Sequence, residues 1–117
     1  MSSIEYYDSM QTFLSKFPDA RSASGRPIAD FYRLFMVPGM GHCGGGNGPN
    51  NFDAFSALES WVERGVPPAQ LIGTGTVVGD STKKMTRPIC SYPQISHNKG
   101  TGDPNEAANF VCAAPSR

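Results

Sequence analysis

The segment Phe31 to Asn47, FYRLFMVPGMGHCGGGN, admits few local structures. Its apolar residues Phe31, Leu34, Phe35, Met36 and Val37 read as a β-type run, and Pro38-Gly39 ends it, since proline removes a backbone donor and glycine admits turn dihedrals. A strand that stops there delivers the next residues to a sheet edge, where enzymes commonly carry reactive side chains on loops. What arrives is His42, inside a glycine-rich turn with Cys43 directly behind it.

Periodicity predicts a helix on each side. Ser2 or Ser3 caps the first, which carries Ile4, Tyr7, Met10, Phe13 and Leu14 on one face and ends near Phe17-Pro18, before a polar loop over 19–29. The second sets Phe52, Phe55, Leu58, Trp61 and Val62 along one stripe, with Gly65 suited to its C-terminal cap. That stripe reads as core rather than as an aromatic-binding surface. Pro67-Pro68 lead to a strand over 71–78, whose glycines weaken the pattern. From Gly79 onward the chain reads mostly as loop, with 87–93 extended and 105–110 a helical turn.

Helix, strand, turn, helix is the order of an α/β unit, and its helices need sheet to pack against. Phe52, Phe55 and Trp61 each bury roughly 150 to 250 Å² in a complete core, which one or two strands do not supply. The expectation is a piece of a larger sheet. Thirteen glycines and ten prolines in 117 residues add many loops and leave room for one domain with a modest core.

Charge excludes several partners. Ten Lys and Arg balance ten Asp and Glu, scattered along the chain, which provides no footprint for nucleic acid or for an anionic membrane surface. No apolar run approaches the roughly 20 residues of a membrane span. MSSIEYYDSM lacks the basic-then-apolar form of a signal peptide.

The three cysteines point elsewhere. Cys90 and Cys112 lie in a Pro, Gly and Asn-rich tail where a disulfide gives order that a small core does not, which suits a secreted protein. Cys43 is then left over, as a free thiol or the partner of a cysteine outside this sequence. A Cys₃His zinc site from Cys43, Cys90, Cys112 and His42 or His97 is disfavoured, because no Cys-x-x-Cys or His-x-x-x-His pair exists and adjacent His42 and Cys43 rarely address one ion. Gly44-Gly45-Gly46-Asn47-Gly48 lacks the Lys-Ser/Thr of a phosphate loop and serves close backbone approach instead. His97 reads as a surface loop residue.

MVPGMGHCGGGNGPN, the helix FDAFSALESWVERGVPP and the tail RPICSYPQISHNKGTGDPNEAANFVC, in that order, resemble the C-terminal part of the tannase and feruloyl esterase family of secreted α/β-hydrolases. The resemblance implies a fold class: residues 1–117 as the C-terminal fragment of an α/β-hydrolase domain, few strands flanked by helices, with a long disulfide-stapled tail. It implies that His42 is the triad histidine, general base toward a serine hydroxyl and then general acid toward the leaving alcohol. It implies that Cys43 pairs with a cysteine beside that serine, tethering the glycine loop to the nucleophile.

No Gly-x-Ser-x-Gly occurs in the chain, and Asp8, Asp19 and Asp30 precede His42 without matching the family's acid. The expectation is therefore that the nucleophile, the acid and the calcium-binding lid lie outside this sequence, that these residues hold no cofactor and no metal, and that the chain alone is inactive. The activity implied is carboxylic ester hydrolysis on phenolic-acid esters, in an extracellular enzyme. The competing reading is a non-catalytic fragment or a small stand-alone binding protein.

Overall fold

A computed structural model describes residues 1–17 and 27–116. They form two units, Met1–Leu34 and Phe35–Arg117. The polar loop expected over 19–29 lies outside the described residues as far as residue 26, and Asp19 with it.

In the first unit, helix α1 spans Ser3–Lys16. Ser2 caps it by a reciprocal pair of bonds: the Glu5 N–H donates to the Ser2 hydroxyl at 3.2 Å, and the Ser2 N–H donates to the Glu5 carboxylate at 2.6 Å. The helix closes at Phe17, whose N–H donates to the Phe13 carbonyl. Of the predicted stripe, Tyr7 and Leu14 are buried. The Tyr7 ring packs against Tyr32 with centroids 5.3 Å apart. Burial pushes the Tyr7 hydroxyl above the usual phenol range, with Arg33 opposing the shift. A 3₁₀ turn, Ile28–Asp30, buries Ile28.

The strand expected over Phe31 to Val37 does not form. Only Phe35 pairs, in a single antiparallel bridge to Ser91. Pro88 and Pro93 flank that partner and lack the N–H groups a longer ladder needs.

Helix α2, Ala54–Arg64, matches the second predicted helix. Asp53 caps it, accepting from the Ser56 N–H at 2.9 Å and the Ser56 hydroxyl at 2.6 Å, and these bonds hold its carboxyl below the usual carboxylate range. Gly65 ends it with φ 66°, its N–H reaching the Ser60 and Trp61 carbonyls. Its stripe is not core in this chain. No α2 residue is buried, and Phe55, Leu58 and Val62 are 76%, 55% and 77% exposed. Phe52 and Trp61 of the same stripe are half-buried, and the described strands form two sheets of two strands each.

The tail from Gly79, expected mostly as loop, is half strand among the described residues. Strand β1, Gln70–Val77, pairs antiparallel with β2, Asp80–Cys90, from Gln70 opposite Cys90 to Val77 opposite Asp80. Strand β3, Ile95–Asn98, pairs antiparallel with β4, Phe110–Ala113, placing Ser96 opposite Cys112. A 3₁₀ turn, Ala107–Asn109, precedes β4. β2 escapes a sequence reading because DSTKKMTR shows threonine and lysine where alternation should show apolar residues. Its anchor comes late, in Met85, Ile89 and Cys90, which with Leu71 make the buried core of this unit. Helices and antiparallel sheets are thus both present, and no parallel strand pair occurs among the described residues.

Several contacts join the sheets, among them the Thr86 N–H donating to the Asn105 carbonyl at 2.8 Å and the Ala107 N–H donating to the Thr86 hydroxyl at 2.7 Å. A disulfide connects Cys90, at the end of β2, to Cys112 in β4, with Cα atoms 5.6 Å apart. The Arg87 guanidinium lies 4.1 Å over the Phe110 ring and donates to the Pro104 carbonyl, holding the loop before β4 against β2.

Candidate active site

Residues 37–48 double back on themselves, and the glycines explain how. The Gly41 N–H donates to the Gly45 carbonyl at 3.0 Å, the Gly48 N–H to the Gly39 carbonyl at 3.0 Å, and Met40 forms an antiparallel bridge with Gly46. Gly39, Gly44, Gly45 and Gly46 all have positive φ, a region that costs glycine nothing and most residues dearly. The result is a self-bonded hairpin rather than a loose loop, with exposed His42 and Cys43 at its tip.

The hairpin's far stem is seated on β1. Thr74 accepts from the N–H groups of Asn50 and Asn51 at 3.0 and 3.1 Å and donates its own N–H to the Asn51 carbonyl at 2.8 Å. Gly73 and Gly75 flank it on the strand. A Cβ at Gly73 would come within 2.7 Å of the Pro49 Cβ, and one at Gly75 within 2.8 Å of the Gly48 carbonyl oxygen. The strand glycines that weakened the sequence pattern are what let the stem lie this close. Their i, i+2 spacing, which puts both on one face of the strand, was the available signal.

At the tip the Cys43 Sγ lies 3.0 Å from the His42 Nδ1, and Cys43 itself has φ 64°, uncommon for a residue with a side chain. Cys43 is an exposed free cysteine in this chain. Among the described residues no carboxylate and no serine bonds His42. Asp8 and Asp30 belong to the first unit. The arrangement holds an exposed imidazole by one ring nitrogen.

The remaining histidine and cysteines do not join it. His97 lies in β3 rather than in a loop, its Nε2 3.0 Å from the Ala114 carbonyl. Cys90 and Cys112 are consumed by their disulfide. No three His, Cys, Asp or Glu side chains converge among the described residues. A cavity of about 240 Å³ opens between the hairpin stems, β2 and the start of β3, walled by Met36, Pro38, Pro49, Met85, Tyr92 and Ile95 among others, and His42 does not line it.

The close backbone crossing carries a prediction. A Cβ at Gly48 would overlap the Pro38 carbonyl oxygen and lie 3.0 Å from the carbonyl carbon behind it. Backbone on both sides cannot yield as a flexible side chain would, so Gly48→Ala should destabilise the hairpin by about 1 to 3 kcal/mol, the usual cost of overpacking. Amide hydrogen exchange at Gly41 and Gly48 is expected to speed up while that of β3 and β4 stays unchanged. Unaltered protection at both glycines would refute the crossing.

Mono(2-hydroxyethyl) terephthalate hydrolase of Piscinibacter sakaiensis is 52% identical over 88 residues, covering 74% of this chain and 15% of that protein. A probable feruloyl esterase of Arthroderma benhamiae is 39% identical over 95 residues, covering 80% of the chain and 18% of its own length. The crystal structure of feruloyl esterase B from Aspergillus oryzae superposes with a TM-score of 0.73 at 26% identity, over 96% of this chain and 23% of that one. The chain therefore spans less than a quarter of the length of each of these proteins. The sequence pattern of the family "Tannase and feruloyl esterase" matches residues 1–113. On that match over nearly its whole length, this chain belongs to the tannase and feruloyl esterase family of carboxylic ester hydrolases.

Proposed function

We propose that this chain supplies the general-base histidine of a serine carboxylic ester hydrolase acting on esters of phenolic and related aromatic acids. The observation that carries the reading is His42 at the tip of a self-bonded hairpin, exposed, with Nδ1 held by Cys43 and Nε2 meeting no protein partner among the described residues. An imidazole so held is pre-positioned to take a hydroxyl proton and return it to a leaving alcohol. The serine, the carboxylate that orients the ring and the calcium-binding lid are contributed by polypeptide outside these residues, and no cofactor is assigned to the residues present. The aromatic-acid class is supported by the relatives' names, since feruloyl and terephthalate esters are both esters of aromatic acids. The Cys90–Cys112 disulfide suits an enzyme that works in an oxidising, extracellular setting.

Two assays test this together. The chain alone should hydrolyse methyl ferulate no faster than its His42→Ala variant, because a base without a nucleophile has nothing to activate. Exchanged for the matching stretch of the Piscinibacter hydrolase, it should restore turnover of an aromatic ester. A folded but inactive graft would refute the assignment, as would turnover by the isolated chain that His42→Ala abolishes.

A further inference from the structure

The sequence holds one Asn-Gly dipeptide, Asn47-Gly48, and it lies in the stem of the hairpin. Asparagine is thermolabile, most of all before glycine, where no side chain hinders attack by the following amide nitrogen. The Gly48 nitrogen loses its proton and bonds to the Asn47 Cγ, the Cγ–Nδ2 bond breaks, and the amide leaves as ammonia. Water then opens the succinimide at one of its two carbonyls. Opening at the former side-chain carbonyl gives aspartate. Opening at the main-chain carbonyl gives isoaspartate, whose main chain runs through Cβ and is one atom longer.

The hairpin bears on each step. Asn47 is exposed, so water reaches it and ammonia can leave. Gly48 is buried, and the N–H whose nitrogen must attack donates to the Gly39 carbonyl at 3.0 Å. Gly48 has no room to turn, since a Cβ there would already overlap the Pro38 carbonyl oxygen. On the other side of Asn47, Gly46 is bridged to Met40. The opposite stem therefore holds Asn47 at both ends, at a spacing set by a main chain of ordinary length.

We propose that Asn47-Gly48 is a latent deamidation site that the closed hairpin protects, and that isoaspartate formed there during an opening prevents the hairpin from closing again. The bonds that hold back the attack are the bonds the product cannot re-form. One extra main-chain atom between Gly46 and Gly48 puts either the Met40 bridge or the Gly48–Gly39 bond out of register. Aspartate keeps the chain length and leaves both in place. Because His42 and Cys43 sit at the tip of this hairpin, the conversion removes their support without altering either side chain. The inference does not depend on any role for His42.

The test incubates the chain as it stands in mildly alkaline buffer, beside a synthetic peptide of residues 45–49, and follows Asn47 by peptide mass mapping. The native chain should convert at least about tenfold more slowly than the peptide, as a site open for about a tenth of the time or less requires. The chain unfolded in urea should match the peptide. Gly46→Ala keeps the dipeptide but drives a Cβ into the Gly39 carbonyl oxygen, and should recover most of that factor. If Gly46→Ala unfolds the whole unit, shown by lost amide protection in β3, Gly39→Ala takes its place, its Cβ 3.0 Å from the Gly48 nitrogen. Asn98 and Asn105, followed by Lys99 and Glu106, are internal references that should stay amides. The isoaspartyl chain, separated by chromatography, should lose hydrogen-exchange protection at Gly41 and Gly48, whereas Asn47→Asp should keep it. A native chain that converts at the peptide's rate would overturn the proposal. So would a hairpin variant as slow as its parent, no conversion even in urea, or an isoaspartyl chain with both glycines still protected.

Discussion

In the grafted hydrolase, His42→Ala should lower kcat for an aromatic ester by about 10⁴-fold or more, with KM changed only a few-fold. The size follows from what the imidazole does. In the role proposed above it takes the hydroxyl proton as the nucleophile attacks and gives it to the leaving alcohol, and both transfers occur only in transition states, so the loss would fall on kcat rather than on substrate binding. Exposure at the hairpin tip matters for the contrast with stability. An exposed surface side chain away from packing usually changes folding by no more than about 0.5 kcal/mol, so the variant should melt where the parent does while its rate collapses. Single-turnover kinetics with a chromogenic aromatic ester separate acylation from release, and both steps should slow. A loss below about tenfold, roughly 1.4 kcal/mol of barrier, would place the base elsewhere.

Reducing the Cys90–Cys112 bond should cost the second unit about 3 kcal/mol of unfolding free energy, on the chain-entropy argument for a loop of this length. The dependence is expected to be strong because the apolar core beside the tail is small. The buried apolar residues there are Leu71, Met85, Ile89 and Cys90 itself. β3 and β4 pair over only four residues each, and a two-stranded hairpin is marginal in water without further packing. Denaturant unfolding with and without reductant, in a Cys43→Ser background so that one bond alone is broken, measures the difference. Cys90→Ser with Cys112→Ser should match the reduced form. A change below about 1 kcal/mol would mean that the hairpin and the Arg87–Phe110 contact suffice.

The two helices were legible because their determinants are local. Ser2 with Glu5, and Gly65 with its positive φ, act within a turn of the residues they cap, and the periods of Tyr7 to Leu14 and of Phe52 to Val62 need no partner to be seen. The pairing of His42 with Cys43 was visible for the same reason, since the two adjoin in a run of glycines. What the stripes would pack against was not. Tyr7 and Leu14 found cover in their unit, whereas Phe55, Leu58 and Val62 found none among the described strands. The failed strand at Phe31 to Val37 and the unseen strand β2 have one cause. A strand is stabilised by its neighbours across the ladder, so an apolar run whose partner is flanked by prolines stays unpaired, while polar DSTKKMTR pairs because β1 lies beside it in register. The amino-acid order alone thus determined the helices, their caps and the adjacency of His42 and Cys43, all set by contacts within a few residues. Only the tertiary structure decided that Gly73 and Gly75 seat the hairpin stem on β1, that Cys90 meets Cys112, and that the Cys43 thiol turns back onto Nδ1. The first two join segments more than twenty residues apart, and the third depends on a backbone angle that the closed hairpin imposes.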